Sequence, residues 1–194
     1  MKELLLTLDL NELETKIALQ CAPVLLGVKL ANILIIPTIN DQQTKELFQD
    51  STLTLAYLFT YLDKSYYLLY QKDGLEMYLC SEQVLAARLS IGLKPSSLRE
   101  MMHQIACEYE NCLRFHHRFP HEIGFLLGYP PQDVLGFIHE DGKNYLYCGY
   151  WKVYANLSMT LELFESYEKV REFLLEYLLH GGHIAHILKH KEKR

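Results

Sequence analysis

Apolar residues return at three- and four-residue intervals through Leu10, Leu13, Ile17 and Cys21 or Val24, which predicts an amphipathic first helix punctuated by Pro23 and Gly27. The run ANILIIP at residues 31–37 is short, continuous and β-branched, as in a strand buried on both faces. A polar helix is expected over residues 41–49. From Leu53 the period changes to two: Leu53, Leu55, Tyr57, Phe59 and Tyr61 alternate with Thr54, Ala56, Leu58 and Thr60. With Asp63-Lys64 separating this run from SYYLLYQ at residues 65–71, the pair predicts a β-hairpin. A continuous helix over residues 53–62 is the competing reading.

The middle of the chain reads as helical. Ser81 caps a helix reaching Leu89 or Ser90, and Ser97-x-x-Glu100 is a capping box for a longer one reaching about Leu113. Pro120 and Pro131 both stand where a first-turn proline opens a short helix, since its missing N–H costs nothing there. Residues 144–154 are aromatic and β-branched enough for a strand in the same sheet as the hairpin. Ser158, Leu161, Phe164, Tyr167, Val170 or Arg171, Leu174 and Leu178 then build a last long helix that Gly181-Gly182 must end or kink. The order of elements predicts a mixed α/β domain over residues 1–180, one sheet of about four strands covered by helices, followed by a helical basic tail at 181–194.

Composition narrows the function classes. The chain has 194 residues, 49% of them hydrophobic and 22% charged, which is ordinary for a folded domain and rules out a disordered one. A net charge of −5 gives no electrostatic footprint for nucleic acid. Basic residues cluster only at Lys189, Lys191, Lys193 and Arg194. The cysteine count is odd at five, without CxxC spacing, so all five are expected to be reduced, in a cytoplasmic setting. The apolar patch at the N-terminus meets Asp9, Glu12 and Glu14 at once, unlike a secretory signal. The low-charge run at 17–40 is broken by Pro23, Lys29 and Pro37, so no membrane span is expected.

Four blocks of the sequence are distinctive: CAPVLLGVK from Cys21 to Lys29, FPHEIG from Phe119 to Gly124, LGYP from Leu127 to Pro130 with Asp133-Val134 and Gly136-Phe137-Ile138, and CGYWKVY from Cys148 to Tyr154. Together they resemble the signature of a bacterial family of unknown function. The resemblance runs from Cys21 to Tyr154 and leaves the helical region after Ser158 outside. It departs from the pattern at Leu30, where the family is associated with proline. What it implies is a small cytoplasmic protein of anaerobic bacteria, with no activity, substrate or cofactor attached.

The same blocks carry the candidate chemistry. His121 would occupy the second position of a helix begun by Pro120, where the positive end of the helix dipole keeps an imidazole neutral and fit to be a ligand or a base. Glu122 beside it is either a first-turn carboxylate favoured by the dipole or a partner of the histidine. Gly124 and Gly128 share a helical stripe with His121, at a cost that asks for close approach of another backbone or a flat ligand, although Gly128 also suits a helix stop. Cys148 and Lys152 share a strand face with tyrosines, and Lys152 needs a partner, most simply Glu122 or Asp133. Cys21 is reactive if Pro23 opens a new helix and inert if the first helix ends there.

These residues support three readings. The leading one is an accessory protein that holds a small ligand or a metal ion at Cys21, His121, Glu122 and Cys148, with Gly124, Gly128 and Lys152 completing a ligand site. The second is a thiol enzyme, with Cys21 as nucleophile, His121 as base and Glu122 orienting it. The third is an interaction module using the tyrosine-rich hairpin. His183, His186 and His190 fall on one side of a terminal helix, a geometry that suits a metal or an exposed basic tail equally. There is no HExxH, P-loop, dinucleotide glycine fingerprint or GxSxG.

Overall fold

The structure, a computed structural model, describes residues 7–190. The N-terminal apolar patch at residues 1–6 and the basic residues Lys191, Lys193 and Arg194 lie outside them. The chain is divided into two compact units, Met1–Lys72 with Ser166–Arg194, and Asp73–Glu165. Among the described residues there are nine α-helices, a three-stranded sheet and a two-stranded ribbon.

In the first unit, α1 (Leu13–Leu25) buries Ile17, Ala18, Cys21 and Val24 against the sheet. Pro23 lies inside α1 rather than opening a new helix, and its carbonyl accepts the amides of Val28 and Lys29 in the turn that follows. Strand β1 (Ala31–Pro37) leads through a short turn to α2 (Asp41–Phe48), and β2 (Thr54–Tyr61) and β3 (Lys64–Tyr70) form the hairpin. The sheet order is β1-β3-β2, antiparallel throughout. Both runs therefore form strands, and the helical alternative for residues 53–62 is excluded, but β1 is an edge strand with Asn32, Ile33 and Ile35 only half-buried rather than a strand buried on both faces.

Two details of the hairpin differ from expectation. Tyr61 pairs with Lys64, so the turn residues are Leu62-Asp63, one position earlier than Asp63-Lys64, and Leu62 adopts the left-handed conformation. A register shift between Tyr57 and Phe59 sets Tyr57 opposite Tyr67 but Phe59 opposite Tyr66. Consecutive partners face opposite sides of a sheet, so the bulge places Phe59, with Tyr66, on the face opposite the one that Tyr57 shares with the core residue Tyr67; Phe59 is buried there, and Tyr57 is exposed.

The core of the first unit is completed by Leu174 and Leu175 of α8 (Leu157–Leu179) and by Ile184 and Leu188 of α9 (Ile184–His190). Gly181, at a φ of 81°, stops α8 as its sequence predicts. The helix expected as a solvated basic tail thus sends its apolar side into the core. Glu14 fixes its start by accepting the amide of Ile184.

The second unit holds α3 (Lys72–Leu79, from Asp73 onward), α4 (Glu82–Ser90), α5 (Leu98–Phe115), α6 (Ile123–Leu126), α7 (Pro131–His139), β4 (Tyr147–Cys148), β5 (Lys152–Val153) and the start of α8. The capping box is present: the Glu100 amide donates to Ser97 Oγ, and the Ser97 amide donates to the Glu100 carboxylate. Helix α3 matches no expected element, because Gly74 in its first turn masks its periodicity. The largest correction concerns residues 144–154. They form no strand of the main sheet. Instead β4 and β5 pair with each other around a tight turn at Gly149, Tyr150 and Trp151.

Ile17 is fully buried between α1 and the sheet. Ile17→Ala is expected to cost about 2–5 kcal/mol of stability, from lost transfer energy and the cavity left behind. Chemical denaturation followed by far-UV circular dichroism measures it, and a loss under about 1 kcal/mol would show that the site collapses freely or that α1 does not pack there.

Candidate functional site

The second unit contains a cleft of about 300 Å³ bounded by α6, α7 and the β4–β5 ribbon. Its walls are mainly aromatic and aliphatic, and His121, Cys148 and Lys152 supply polar groups at its sides. Each wall is positioned by an identifiable contact.

Asp133 is the fixed point. It sits in the first turn of α7, 2% exposed, and a buried carboxylate must find donors. Its Oδ2 accepts the indole N–H of Trp151 at 2.7 Å, and its Oδ1 accepts the amides of Tyr154 and Ala155 at 2.8 and 3.0 Å. One carboxylate thereby clamps both the tip and the outgoing end of the β4–β5 ribbon onto α7. Trp151, so held, stacks on Tyr129 at 4.5 Å between ring centroids and meets Phe164 edge-on at 4.5 Å. The carbonyl of Tyr129 in turn accepts the Tyr78 hydroxyl, tying α3 to the same layer.

Three glycines make this packing feasible. A Cβ on Gly136 would stand 2.4 Å from the Tyr154 ring, one on Gly149 would stand 2.4 Å from Phe164, and one on Gly124 would stand 2.8 Å from Val134. Gly124 therefore answers to close approach of a side chain from α7. Gly128, at a φ of 72°, ends α6, with the Tyr129 amide donating to the Gly124 carbonyl. It does not share a helical stripe with His121.

His121 itself precedes α6. Pro120, His121 and Glu122 form a tight turn in which their carbonyls accept the amides three residues on, so the helix starts at Ile123 rather than at Pro120. The dipole argument for a neutral ring accordingly lapses. Burial takes its place: it lowers the His121 pKa from 6.5, Arg118 lowers it further, and Glu122 and Asp141 oppose both. The ring lies 4.8 Å from Phe137 and 5.8 Å from Phe119. Among the described residues it has no hydrogen-bond partner.

Lys152 departs from expectation in its partners. Its ammonium donates to the Gly142 carbonyl at 2.6 Å and sits over the rings of Tyr145 and Phe137 at 4.8 and 5.6 Å, rather than pairing with Glu122 or Asp133. Cys148 is its cross-strand partner in the ribbon, so both side chains leave the same face.

The other two predicted residues lie elsewhere. Glu122 borders two hollows beside α5, with Glu108 and Phe119 or Ile105 as neighbours, and does not line the aromatic cleft. Cys21 belongs to the core of the first unit, where burial pushes its thiol up to about 12. Lys29, which follows it in the same sequence block, is lowered to about 8 by burial and donates to Asn32. Among the described residues no three His, Cys, Asp or Glu side chains are grouped so as to hold a metal ion. Asp133, Tyr129 and Trp151 build the cleft and are not among the site residues that the sequence suggests. The signal available was the presence of Asp133, Tyr129 and Trp151 within the distinctive blocks.

Asp133→Asn keeps the shape but turns an amide group toward N–H donors. It is expected to cost about 2–4 kcal/mol in urea denaturation, and a change within about 0.5 kcal/mol would deny the clamp its role. His121 gives a second expectation with a definite sign. Its folded pKa lies below 6.5, so the unfolded chain takes up a proton at higher pH than the fold does. The stability that this ring contributes is complete above that value and is lost as the pH falls through it toward the lowered one. Stability of wild type relative to His121→Gln should therefore fall as the pH is lowered through 6.5, and a flat difference would contradict burial of the ring.

The five cysteines are free, and no helix of the described residues is long and apolar enough to cross a membrane. In comparisons with curated proteins and with solved structures, none matches the chain. A family profile matches residues 17–188, and so takes in α8 and most of α9 as well as the four blocks, beyond the limit at Ser158 that the blocks alone suggested. The chain belongs to the family described as "Protein of unknown function (DUF3793)".

Proposed function

We propose that this protein is a small-molecule-binding protein whose ligand is a flat, largely apolar molecule carrying an acidic group. The observation that carries the reading is the cleft of about 300 Å³, walled by Phe119, Phe137, Tyr129 and Trp151, with His121 and Lys152 at its sides. Concave aromatic sites with a few placed polar groups are the usual form of a ligand site. Flat ligands stack on such walls, and an ammonium already oriented by Gly142, Tyr145 and Phe137 loses little freedom on meeting an anion. A neutral imidazole adds one donor or one acceptor.

Within the cleft, Cys148 is the thiol in reach of a ligand. A nucleophilic role for Cys21 finds no support in a fully buried thiol whose pKa is raised. The absence of a grouped donor set among the described residues turns the reading away from a metal ion and toward an organic ligand. Five free thiols suit a reducing, cytoplasmic compartment.

The only tryptophan of the chain lines the cleft, so its fluorescence reports on occupancy. The anionic, flat probe 1-anilinonaphthalene-8-sulfonate is expected to bind the folded protein and quench Trp151 by energy transfer. Lys152→Ala should weaken that binding by about tenfold, the scale of a lost charged hydrogen bond. Equal binding by wild type, Lys152→Ala and His121→Ala would refute the reading.

A further inference from the structure

A second hollow of about 320 Å³ lies in the same unit, under the loop that joins α4 to α5, and nothing in the aromatic cleft accounts for it. Its notable member is Arg88. This side chain is 5% exposed, and a guanidinium buried to that degree ordinarily has a carboxylate beside it. Here it has none: its Nη2 donates to Ser96 Oγ at 2.7 Å and approaches the Lys94 carbonyl at 3.5 Å, and its Nε is buried without a partner. Among the described residues it forms no ion pair. A fork with five N–H donors and so few acceptors is an unfinished anion site.

The rest of the lining narrows the anion. Lys94 brings a second cation, Glu108 and Glu122 bring two carboxylates, and Met101 and Ile105 bring apolar surface. A phosphate would carry about two negative charges toward two carboxylates and be repelled. A molecule with a carboxylate at one end, an ammonium near it and an apolar remainder meets a complementary group on each side. We infer that this hollow binds a small zwitterion, an α-amino acid with an apolar side chain, whose carboxylate completes the donor set of Arg88. Glu108 or Glu122 takes the ammonium, and Met101 and Ile105 face the side chain. Arg88 is then a binding residue, and its bond to Ser96 couples occupancy to the order of the loop that carries Gly92 and Pro95.

Calorimetric titration of the full chain with L-leucine and L-methionine tests this, alongside leucinamide, which lacks the carboxylate, 4-methylpentanoate, which lacks the ammonium, and inorganic phosphate. The expected result is saturable binding of the two amino acids, at least about tenfold weaker binding of either truncated probe, and none of phosphate. Arg88→Lys keeps the charge but loses the fork, and should weaken leucine by at least about tenfold. Because Arg88 also holds its loop, Glu122→Gln serves as the second variant: its side chain is partly exposed and forms no described hydrogen bond. Together with Glu108→Gln it should reduce the preference for leucine over 4-methylpentanoate. Phosphate binding as tightly as leucine, leucinamide binding as tightly as leucine, or no amino-acid binding at millimolar concentration would each overturn the inference.

Discussion

A carboxylate removed from water must be met by donors, and in the second unit that requirement falls on Asp133. Three N–H groups converge on it, two from the backbone at Tyr154 and Ala155 and one from the Trp151 indole. Without that convergence a ribbon of two-residue strands would have too little pairing of its own to persist. With it, Trp151 is held against Tyr129, Tyr154 is drawn over Gly136, and the aromatic cleft has a wall. The arrangement couples features that sequence alone shows as separate: a proline-opened helix, the scattered Gly124, Gly136 and Gly149, and a string of aromatics are all parts of one clamp.

The two units use polar groups differently. In the first, half-buried polar side chains serve the backbone: Gln20 donates to the Ile35 carbonyl and accepts the Ile35 amide, and Asn32 donates to the Gln20 carbonyl, stitching α1 to the edge of the sheet. Cys21 and Lys29 lie within that stitching, which gives the CAPVLLGVK block a structural reason: a small buried thiol and a lysine whose donors are directed inward. In the second unit Asp133 serves the backbone in the same way, but other polar groups border open space, with His121 and Lys152 at the aromatic cleft and Arg88 at the neighbouring hollow. Distinctive sequence blocks therefore divide into one that builds a core and others that build a concave surface.

How much of this was legible follows from the range of the interactions involved. The capping box at Ser97 and Glu100, the extended conformation of β2 and the glycine stop after α8 are local, and each folds as its sequence predicts, although a bulge between Tyr57 and Phe59 breaks the alternation of β2. The turn falls at Leu62-Asp63, one residue before the pair the sequence suggests, because neither pair carries the glycine that fixes such turns. Residues 144–154 have strand composition, yet the strand they pair with is their own continuation, and nothing in aromatic content distinguishes a sheet strand from a self-paired ribbon. Helix α6 starts at Ile123 rather than at Pro120 because Pro120 suits a tight turn as well as a first helical turn. Four of the residues singled out, His121, Gly124, Cys148 and Lys152, do line one cleft, while Glu122 points to another hollow and Gly128 ends a helix. The partner of a buried lysine or arginine is set by tertiary packing, which is why Gly142 for Lys152 and the open donors of Arg88 could not be read in advance.

The account turns on the bond between Trp151 and Asp133, and the chain offers a direct view of it because it has one tryptophan and hence one indole N–H. Its solvent exchange rate, followed by nuclear magnetic resonance on protein labelled with nitrogen-15, is the decisive quantity. A buried indole N–H bonded to a carboxylate should exchange slowly in the native protein and rapidly in Asp133→Ala. Fast exchange in the wild type, or protection that survives the loss of Asp133, would contradict the clamp and with it the origin of the cleft.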